Sequence, residues 1–348
     1  MNTEVINIEK NDQNCYIIAG EVIKKGGLVA FPTETVYGLG GDALNPASSE
    51  KIYNAKGRPS DNPLIVHIAR IQDVYNIAEN ISDKAKRLMD KFWPGPLTII
   101  YNKKEIVPYK TTGGLDTVAV RMPENKQALK FIEASGGYIA APSANSSGRP
   151  SPTSAKHVYD DLNGKIELIL DGGESGIGVE STIIDMSGKV PMLLRPGFIN
   201  LDMLREEIGE VLVDPAILGP TKEGKRPKAP GMMYKHYAPK GELYIVRGDV
   251  MNVASYINKE VEKGQNNGER IGIITTKENE SYYSGGIIKC VGSRKDEITI
   301  SRHLFSVLRE FDDLGAVRIY SEELNTPMMG MAVMNRLLKA AAQRVIDV

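Results

Sequence analysis

Short apolar runs bounded by glycine and proline recur through the first 210 residues, and runs of this kind predict β-strands. They cover residues 26–33, 96–102, 117–123, 138–144, 166–173, 181–188 and 191–197. Two other stretches, 48–57 and 82–93, repeat apolar residues at steps of three and four and therefore predict helices. Many strands with few helices favour an α+β domain on a twisted mixed sheet, which we assign to residues 1–210.

A different rhythm begins after residue 240, where predicted strands and helices alternate. Strands are predicted at 242–248, 270–276, 285–292 and 317–321, and helices at 250–263, 299–315 and 332–346. Strands that alternate with helices of this length are typical of a parallel sheet with crossover helices. We therefore predict a smaller, Rossmann-like α/β domain over residues 241–348, and α/β as the fold class of the whole chain.

The segment between the two predicted domains differs from both in composition. From Gly219 to Lys240 it carries six Lys or Arg residues against one acid, together with four prolines. This excess stands out because the formal net charge of the whole chain is only −1. We assign residues 211–240 to a basic, proline-rich linker or lid.

The bulk composition argues against several classes of protein. A net charge of −1 over 348 residues does not suit a protein that coats nucleic acid through its charge. Cys15 and Cys290 lie too far apart to suggest a disulfide framework or a cysteine-based zinc site, and the histidines show no short metal-ligand spacing. No apolar run reaches membrane-spanning length and no signal peptide is recognisable, so we expect a cytoplasmic protein.

Several arginines lie at the ends of predicted strands or helices. Lys56 and Arg58 flank Gly57 where Pro59 must end a helix. Such cations complement the helix dipole, but an arginine fork two residues from a lysine also suits an oxyanion such as phosphate or carboxylate. Arg121 ends an apolar strand, where a buried arginine needs an anionic partner.

Hydroxyl-rich loops accompany these arginines. Residues 31–43 combine threonine and tyrosine with a glycine cluster, and residues 141–154 are dense in serine, small residues and proline. Each loop alone is either a plain turn or a backbone cradle for an anion. With Ser181 and Arg195 added, the set favours a groove for an anionic small molecule; His67, on a predicted strand, is by default a core histidine.

The same segments resemble the YrdC-like family. The resemblance is carried by "PTETVYGLG", "KGRPSDNPLIVHI", "FWPGPLT", "VAVRMP", "APSANSSG", "GVESTIID" and "LLRPG". "PGMMYKHYAP", followed by a compact α/β domain, is similar to the two-domain members of that family, the threonylcarbamoyl-AMP synthases. The resemblance covers essentially the whole chain.

This resemblance implies an enzyme of the nucleotidyltransferase class. L-threonine, bicarbonate or carbon dioxide, and ATP would give L-threonylcarbamoyl-AMP and pyrophosphate. A carbamate oxygen would attack the α-phosphorus, so no protein nucleophile is needed. Catalysis would consist of positioning and charge neutralisation, with Mg²⁺ entering through the ATP phosphates and not through protein ligands.

The resemblance also implies roles for individual residues, with Lys56 and Arg58 as the catalytic pair. The residues implied for ATP are Lys56, Arg58, Asn62, Thr117, Ser143, Asn145, Ser151, Arg195, Tyr234 and His236. The residues implied for threonine are Thr35, His67, Arg121, Ala141 and Ser181. Arg121 would hold the threonine carboxylate through two hydrogen bonds.

The segment 230–239 is predicted to act as a lid. Its prolines would stiffen its ends, its methionines and tyrosines would cover the substrates, and Tyr234, Lys235 and His236 would bring polar groups near phosphate. The alternative is that these residues merely pack one domain against the other. An activated carbamoyl adenylate hydrolyses easily, which favours the lid.

Two other functions remain open at this point. An RNA-binding module is disfavoured by the near-neutral charge and by an aromatic content of 6%. Carbamoyl transfer, as in hydrogenase-maturation proteins with a similar domain, would require cysteine-rich zinc modules, and two distant cysteines cannot supply them. We expect a monomer whose product feeds other proteins that modify tRNA, with no stable tRNA binding of its own.

Overall fold

The structure, a computed structural model, describes residues 2–8, 14–217, 229 and 236–348. The chain forms two compact units. The first comprises Met1–Ser147, Ser151–Gly176 and Glu180–Met233, and the second comprises Gly148–Pro150, Ile177–Val179 and Tyr234–Val348. Two short loop stretches that the sequence division placed in the first domain thus belong to the second unit. No helix among the described residues is long and apolar enough to cross a membrane.

The first unit consists of one large sheet and the helices that flank it. Its strands are β1 Glu4–Asn7, β2 Val29–Phe31, β3 Gly38–Asp42, β4 Ile65–His67, β5 Ala78–Glu79, β6 Leu97–Lys103, β7 Thr117–Arg121, β8 Ile139–Ala140, β9 Leu168–Asp171, β10 Thr182–Asp185, β11 Met192–Arg195 and β12 Leu212–Val213. Its α-helices are α1 Asn14–Lys24, α2 Pro46–Lys56, α3 Val74–Ile77, α4 Asp83–Phe92, α5 Lys126–Ala134, α6 Ala155–Leu162 and α7 Leu201–Ile208.

The strand order across this sheet is β1-β9-β2-β3-β8-β4-β7-β6-β10-β11-β12, with β5 paired to β6. Strand β7 runs parallel to β4 but antiparallel to β6, so the sheet is mixed, as predicted. Successive residues of a strand point to opposite faces. In β2, Val29 and Phe31 join a core cluster with residues of α1 and α5, whereas Ala30 joins the cluster that includes residues of α2, α4, α6 and α7.

Helix α2 shows how the sequence sets the ends of an element. The Asn45 side chain caps its first turn by accepting the backbone N–H of Ala47, and Pro46 occupies the position where a missing N–H costs nothing. At its other end Gly57 adopts a left-handed conformation with φ of 62°. The helix therefore ends at Lys56, and this end fixes the position of the Lys56 backbone from which the side chain extends.

The second unit is an α/β domain. Its strands are β13 Glu242–Arg247, β14 Ile271–Thr275, β15 Ile287–Cys290, β16 Arg318–Glu322 and β17 Val345–Asp347, and its helices are α8 Val250–Asn266, α9 Glu297–Asp313 and α10 Gly330–Ala340. The strand order is β15-β14-β16-β13-β17, and every pairing is parallel. The predicted fold class, with a parallel sheet in the C-terminal domain, is confirmed.

One element prediction in this unit is wrong. We predicted a single helix over 332–346, but α10 ends earlier and the chain then forms β17. The backbone amides of Ala342 and Gln343 donate to carbonyls of the last helical turn, and both residues have positive φ, 49° and 63°. A helix end with positive φ usually has glycine at that position, and here alanine and glutamine take its place. The sequence therefore lacks the glycine that normally marks the end of a helix. The released backbone pairs with β13, where Val345 faces Ile245.

Candidate active site

The loop between β2 and β3 carries two threonines whose hydroxyl groups are bonded to each other. The Oγ1 atoms of Thr33 and Thr35 are 2.9 Å apart, and Thr33 Oγ1 donates to the carbonyl of Val36 at 2.6 Å. Both threonines are buried. The loop is therefore held in one conformation, with the hydroxyl of Thr35 in a fixed place.

Arg121 lies at the end of β7 and is bound to this loop. Its Nη1 donates to Thr35 Oγ1 at 2.9 Å, its Nη2 to Glu34 Oε1 at 2.6 Å, and its Nε to the carbonyl of Gly95 at 3.4 Å. Only 5% of its side chain is exposed. A guanidinium in so buried a position requires anionic or carbonyl partners, and a planar fork of this kind matches a carboxylate.

His67 is the neighbour of Arg121 in the parallel strand β4. Burial and the nearby Arg121 charge lower the pKa of His67 to about 3. Its Nδ1 lies 3.2 Å from the carbonyl of Ile65, and its ring meets that of Phe31 edge-on. The imidazole is therefore neutral at physiological pH and offers hydrogen bonds without charge.

A second buried arginine lies at the same end of the sheet. Arg195 donates from Nε to the carbonyl of Ser181 at 3.0 Å and from Nη2 to its Oγ at 3.2 Å. The Ser181 hydroxyl is 2.7 Å from that of Thr98, and Thr98 pairs with Arg121 across β6 and β7. We predicted Ser181 for threonine and Arg195 for ATP; the structure joins the two residues directly.

Close backbone packing keeps this arrangement in place. Gly197 follows Arg195 by two residues, and a Cβ atom there would lie 2.5 Å from the backbone nitrogen of Thr182. Only glycine allows the chain after β11 to pass so near to the start of β10.

The last residue of α2, Lys56, is bound to the loop that follows β8. Lys56 Nζ donates to the carbonyls of Ser143 and Asn145, both at 2.5 Å, and to Asn145 Oδ1 at 3.2 Å. Ser143 Oγ in turn donates to Asn145 Oδ1 at 2.6 Å. The predicted pairing of these residues is thus present as direct contacts, and Lys56 holds the backbone of the loop that begins at Ala141.

Arg58 and Asn62 follow Lys56 closely in the chain, and Arg58 contacts the carbonyl of Asn62 at 3.4 Å. Arg58 Nη2 donates to the carbonyl of Pro63 at 3.1 Å, and Asn62 Oδ1 is buried without a donor among the described residues. Thr117 pairs with Asn102 of β6 and lies four residues before Arg121 in β7.

Direct contacts sort the predicted site residues into two sets that one loop connects. Thr35, His67, Arg121, Ser181 and Arg195 are grouped around Arg121, and Ser143 and Asn145 around Lys56, with Arg58 and Asn62 close to Lys56 in the chain. Ala144, between Ser143 and Asn145, donates its N–H to the carbonyl of Tyr37, two residues after Thr35. Ala141 lies beside β4, because its N–H donates to the carbonyl of Ile65. Ser151 is buried and donates its hydroxyl to Glu180 at 2.5 Å.

The predicted lid is described only in part. Tyr234 and Lys235 lie outside the described residues. His236 is half-buried with its ring centroid 5.4 Å from that of Tyr237, and Tyr237 stacks on Phe305 of α9 at 5.1 Å. The role of the segment as a lid, and the contact of Tyr234 and His236 with ATP, stay predictions.

Sequence reasoning missed two residues of the site, Glu34 and Thr98. The Glu34 carboxylate forms the ion pair with Arg121, and Thr98 connects Arg121 to Ser181. A signal for Glu34 was present, because a buried arginine needs an anion and Glu34 lies between the two threonines of the quoted loop. Thr98 gave no signal, since a threonine inside a strand is ordinary.

The electrostatics of the first unit suit an anionic ligand with more than one charged group. Lys56, Arg121 and Arg195 are each no more than 5% exposed. Buried cations are strong anion ligands because little water screens them. Among the described residues, no group of three or more His, Cys, Asp or Glu side chains could hold a metal ion.

Comparison with known proteins relates both units to one family. Residues 21–197 match the Sua5/YciO/YrdC family described as "Telomere recombination", and residues 203–342 match the family "Threonylcarbamoyl-AMP synthase, C-terminal domain". The threonylcarbamoyl-AMP synthase of Pyrococcus abyssi is 47% identical over 99% of this chain and 100% of its own. That of Bacillus subtilis is 45% identical over 94% of this chain and 93% of its own.

A solved structure agrees over the same length. The crystal structure of Pyrococcus abyssi Sua5 complexed with L-threonine superimposes with a TM-score of 0.93 at 46% identity, covering 99% of this chain and all of that one. The resemblance drawn from the sequence motifs is thus confirmed. The chain belongs to the two-domain threonylcarbamoyl-AMP synthase family.

Proposed function

We propose that this protein is an L-threonylcarbamoyladenylate synthase that condenses L-threonine, bicarbonate or carbon dioxide, and ATP. One observation carries the proposal: the chain matches a threonylcarbamoyl-AMP synthase over 99% of its residues and holds buried cationic and hydroxyl side chains around Arg121 and around Lys56. The group around Arg121 suits an amino acid, and the group around Lys56 and Arg58 suits a polyphosphate.

The chemistry proceeds in two steps. The amine of threonine forms a carbamate with carbon dioxide, losing two protons from its ammonium form, or with bicarbonate, losing one proton and a water molecule. A carbamate oxygen then forms a bond to the α-phosphorus of ATP, and the bond from that phosphorus to the bridging oxygen breaks. Pyrophosphate leaves with the electron pair, so the reaction class is nucleotidyl transfer.

The residues position these reactants. Arg121 and the Thr35 hydroxyl hold the threonine carboxylate, and neutral His67 offers a hydrogen bond beside them. Arg58 binds phosphate oxygens through its fork. Lys56, already bonded to Ser143 and Asn145, acts by fixing the loop against which the nucleotide rests and by adding a positive charge.

Mg²⁺ accompanies ATP in this proposal. We propose that phosphate oxygens and water supply most of its ligands. When bound, Mg²⁺ neutralises charge on the departing pyrophosphate.

The product is an activated intermediate for other proteins. We propose that tRNA threonylcarbamoyl-transfer proteins in the cytoplasm consume it and that this chain acts as a monomer without stable tRNA binding. Carbamoyl transfer would instead require carbamoyl phosphate as donor.

The test measures pyrophosphate release with ATP, Mg²⁺, threonine and bicarbonate, omitting one component at a time. We expect release only when threonine and bicarbonate are both present, together with a product of the mass of threonylcarbamoyl-AMP. ATP turnover that ignores threonine would refute the proposal. Turnover restored by carbamoyl phosphate in place of bicarbonate would favour carbamoyl transfer.

A further inference from the structure

Glu34 is an acid in the site that has no assigned role. Its side chain is 12% exposed, and its Oε1 accepts Arg121 Nη2 at 2.6 Å. Its other oxygen, Oε2, is buried and meets no hydrogen-bond donor among the described residues. A buried hydrogen-bond acceptor without a donor lowers the stability of the fold. A carboxylate oxygen in this state is therefore a candidate to accept a hydrogen bond from a ligand.

Arg121 has two N–H groups that meet no partner among the described residues while it keeps Glu34. A guanidinium has five N–H groups. Among the described residues Arg121 uses three of them, one each for Gly95, Thr35 and Glu34. One N–H on each terminal nitrogen remains, which is the number that a carboxylate needs to bind with both oxygens while Glu34 stays in place.

The charges of Arg121 and Glu34 match those of an amino acid in its zwitterionic form. Arg121 and Glu34 together carry no net charge, and threonine at neutral pH is a zwitterion with an ammonium and a carboxylate. An arginine and a glutamate side by side complement these two groups. Two other titratable residues of the described part of the chain lie close to this pair. His67, paired with Arg121 in β4, is neutral because burial and Arg121 hold its pKa low, and the Arg195 guanidinium is bonded to Ser181.

We propose that Glu34 binds the α-ammonium of threonine through Oε2 and acts as the general base that frees this amine for carbamate formation. One proton passes from nitrogen to Oε2, and the nitrogen lone pair forms the N–C bond to carbon dioxide. A C=O electron pair moves onto oxygen, and the second N–H proton leaves to water. The inference rests on the proposed function and adds a catalytic residue to it.

The experiment compares the full-length chain with Glu34→Gln, which keeps the shape and an acceptor but cannot take the proton. The matched control is Glu124→Gln, the same exchange at an exposed position three residues beyond Arg121. Threonine-dependent pyrophosphate release is measured at saturating ATP and bicarbonate from pH 6.5 to 9.5. Tryptophan fluorescence from Trp93, buried in the first unit, checks that each variant is folded.

For Glu34→Gln we expect kcat/KM for threonine to fall by about 10²–10⁴-fold near pH 7, with the KM for ATP unchanged. The deficit should shrink as pH rises, because solution then supplies threonine with a neutral amine. Glu124→Gln should follow the wild type at every pH. Glu34→Asp keeps the charge and should retain more activity than Glu34→Gln. If Glu34→Gln does not fold, the pH dependence of Glu34→Asp is compared with that of the wild type instead.

Three results would overturn the inference while the proposed function stands. The first is a deficit that is constant across pH, which would leave Glu34 as a counter-ion of Arg121. The second is tighter threonine binding in Glu34→Gln, which would make Glu34 a competitor of the substrate carboxylate. The third is activity equal to that of Glu124→Gln. If the wild type itself does not require threonine, the proposed function fails first.

Discussion

Replacing Lys56 with methionine should destabilise the first unit far more than its position at a helix end suggests. Methionine fills a similar volume but removes the ammonium, which is bonded to Ser143 and Asn145. The two carbonyls and one amide oxygen that accept from it would lose this donor. Lys56 is 4% exposed, so water cannot easily replace the lost bonds.

The magnitude follows from these three contacts. Hydrogen bonds to charged groups contribute about 1.5–3 kcal/mol each, so a simple sum would exceed 4 kcal/mol. The variant also removes the cost of burying the ammonium, which offsets part of that loss. Breaking a buried charged network typically costs about 3–5 kcal/mol, and we expect a value in this range.

The assay is urea unfolding followed by tryptophan fluorescence. Trp93 is the single tryptophan of the chain and is buried in the first unit, so its signal reports on that unit alone. With a slope of about 2 kcal/mol per molar urea, the midpoint should fall by about 2 M. The control is Lys84→Met on the exposed face of α4, expected to change stability by less than about 0.5 kcal/mol.

A Lys56→Met midpoint equal to that of Lys84→Met would refute the reasoning. It would mean that the loop from Ala141 keeps its conformation without the ammonium, and that Lys56 serves the ligand only. Unchanged stability with lost activity would separate that role from the structural one.

Other side chains of the site give sharper tests of chemistry and pH. Arg58→Lys loses the planar fork and should cost about 2–4 kcal/mol of transition-state stabilisation, read from kcat/KM for ATP; unchanged turnover per enzyme would contradict the assigned role. Arg121→Ala should raise the threonine requirement far more than the ATP requirement, measured as the two KM values; equal weakening of both would point to general misfolding. His67 has a folded-state pKa below its unfolded value, so its contribution to stability is present above about pH 6.5 and is lost as pH falls toward 3. Between pH 7 and 5 the wild type should lose about 2 kcal/mol that His67→Gln does not lose, and parallel unfolding curves would contradict the burial argument.

Much of the fold could be predicted because local signals agree with the tertiary structure. The apolar run at 117–123 becomes β7, and the alternating C-terminal pattern becomes a parallel sheet. The helix that ends at Gly57 follows its glycine and proline signals. The strand β17 could not be predicted, since its helix-like sequence is overridden by pairing with β13 after a helix end without glycine.

The site was harder to predict, because its geometry depends on contacts distant in sequence. Arginines at strand ends indicated an anion, but the sequence did not show that Lys56 would be bonded to loop carbonyls 87 and 89 residues away. Nor did it show that Glu34 would form an ion pair with Arg121, 87 residues away. Which residues meet is decided by strand register, and register is set by the packing of the whole sheet.

One short loop carries contacts of both sets of site residues. Thr35 accepts a hydrogen bond from Arg121, and the carbonyl of Tyr37, two residues later, accepts the N–H of Ala144, which lies between Ser143 and Asn145. Thr33 fixes the conformation of the same loop through its bonds to Thr35 and Val36. A substitution that shifts this loop would therefore disturb the contacts of Arg121 and those of the Lys56 loop together.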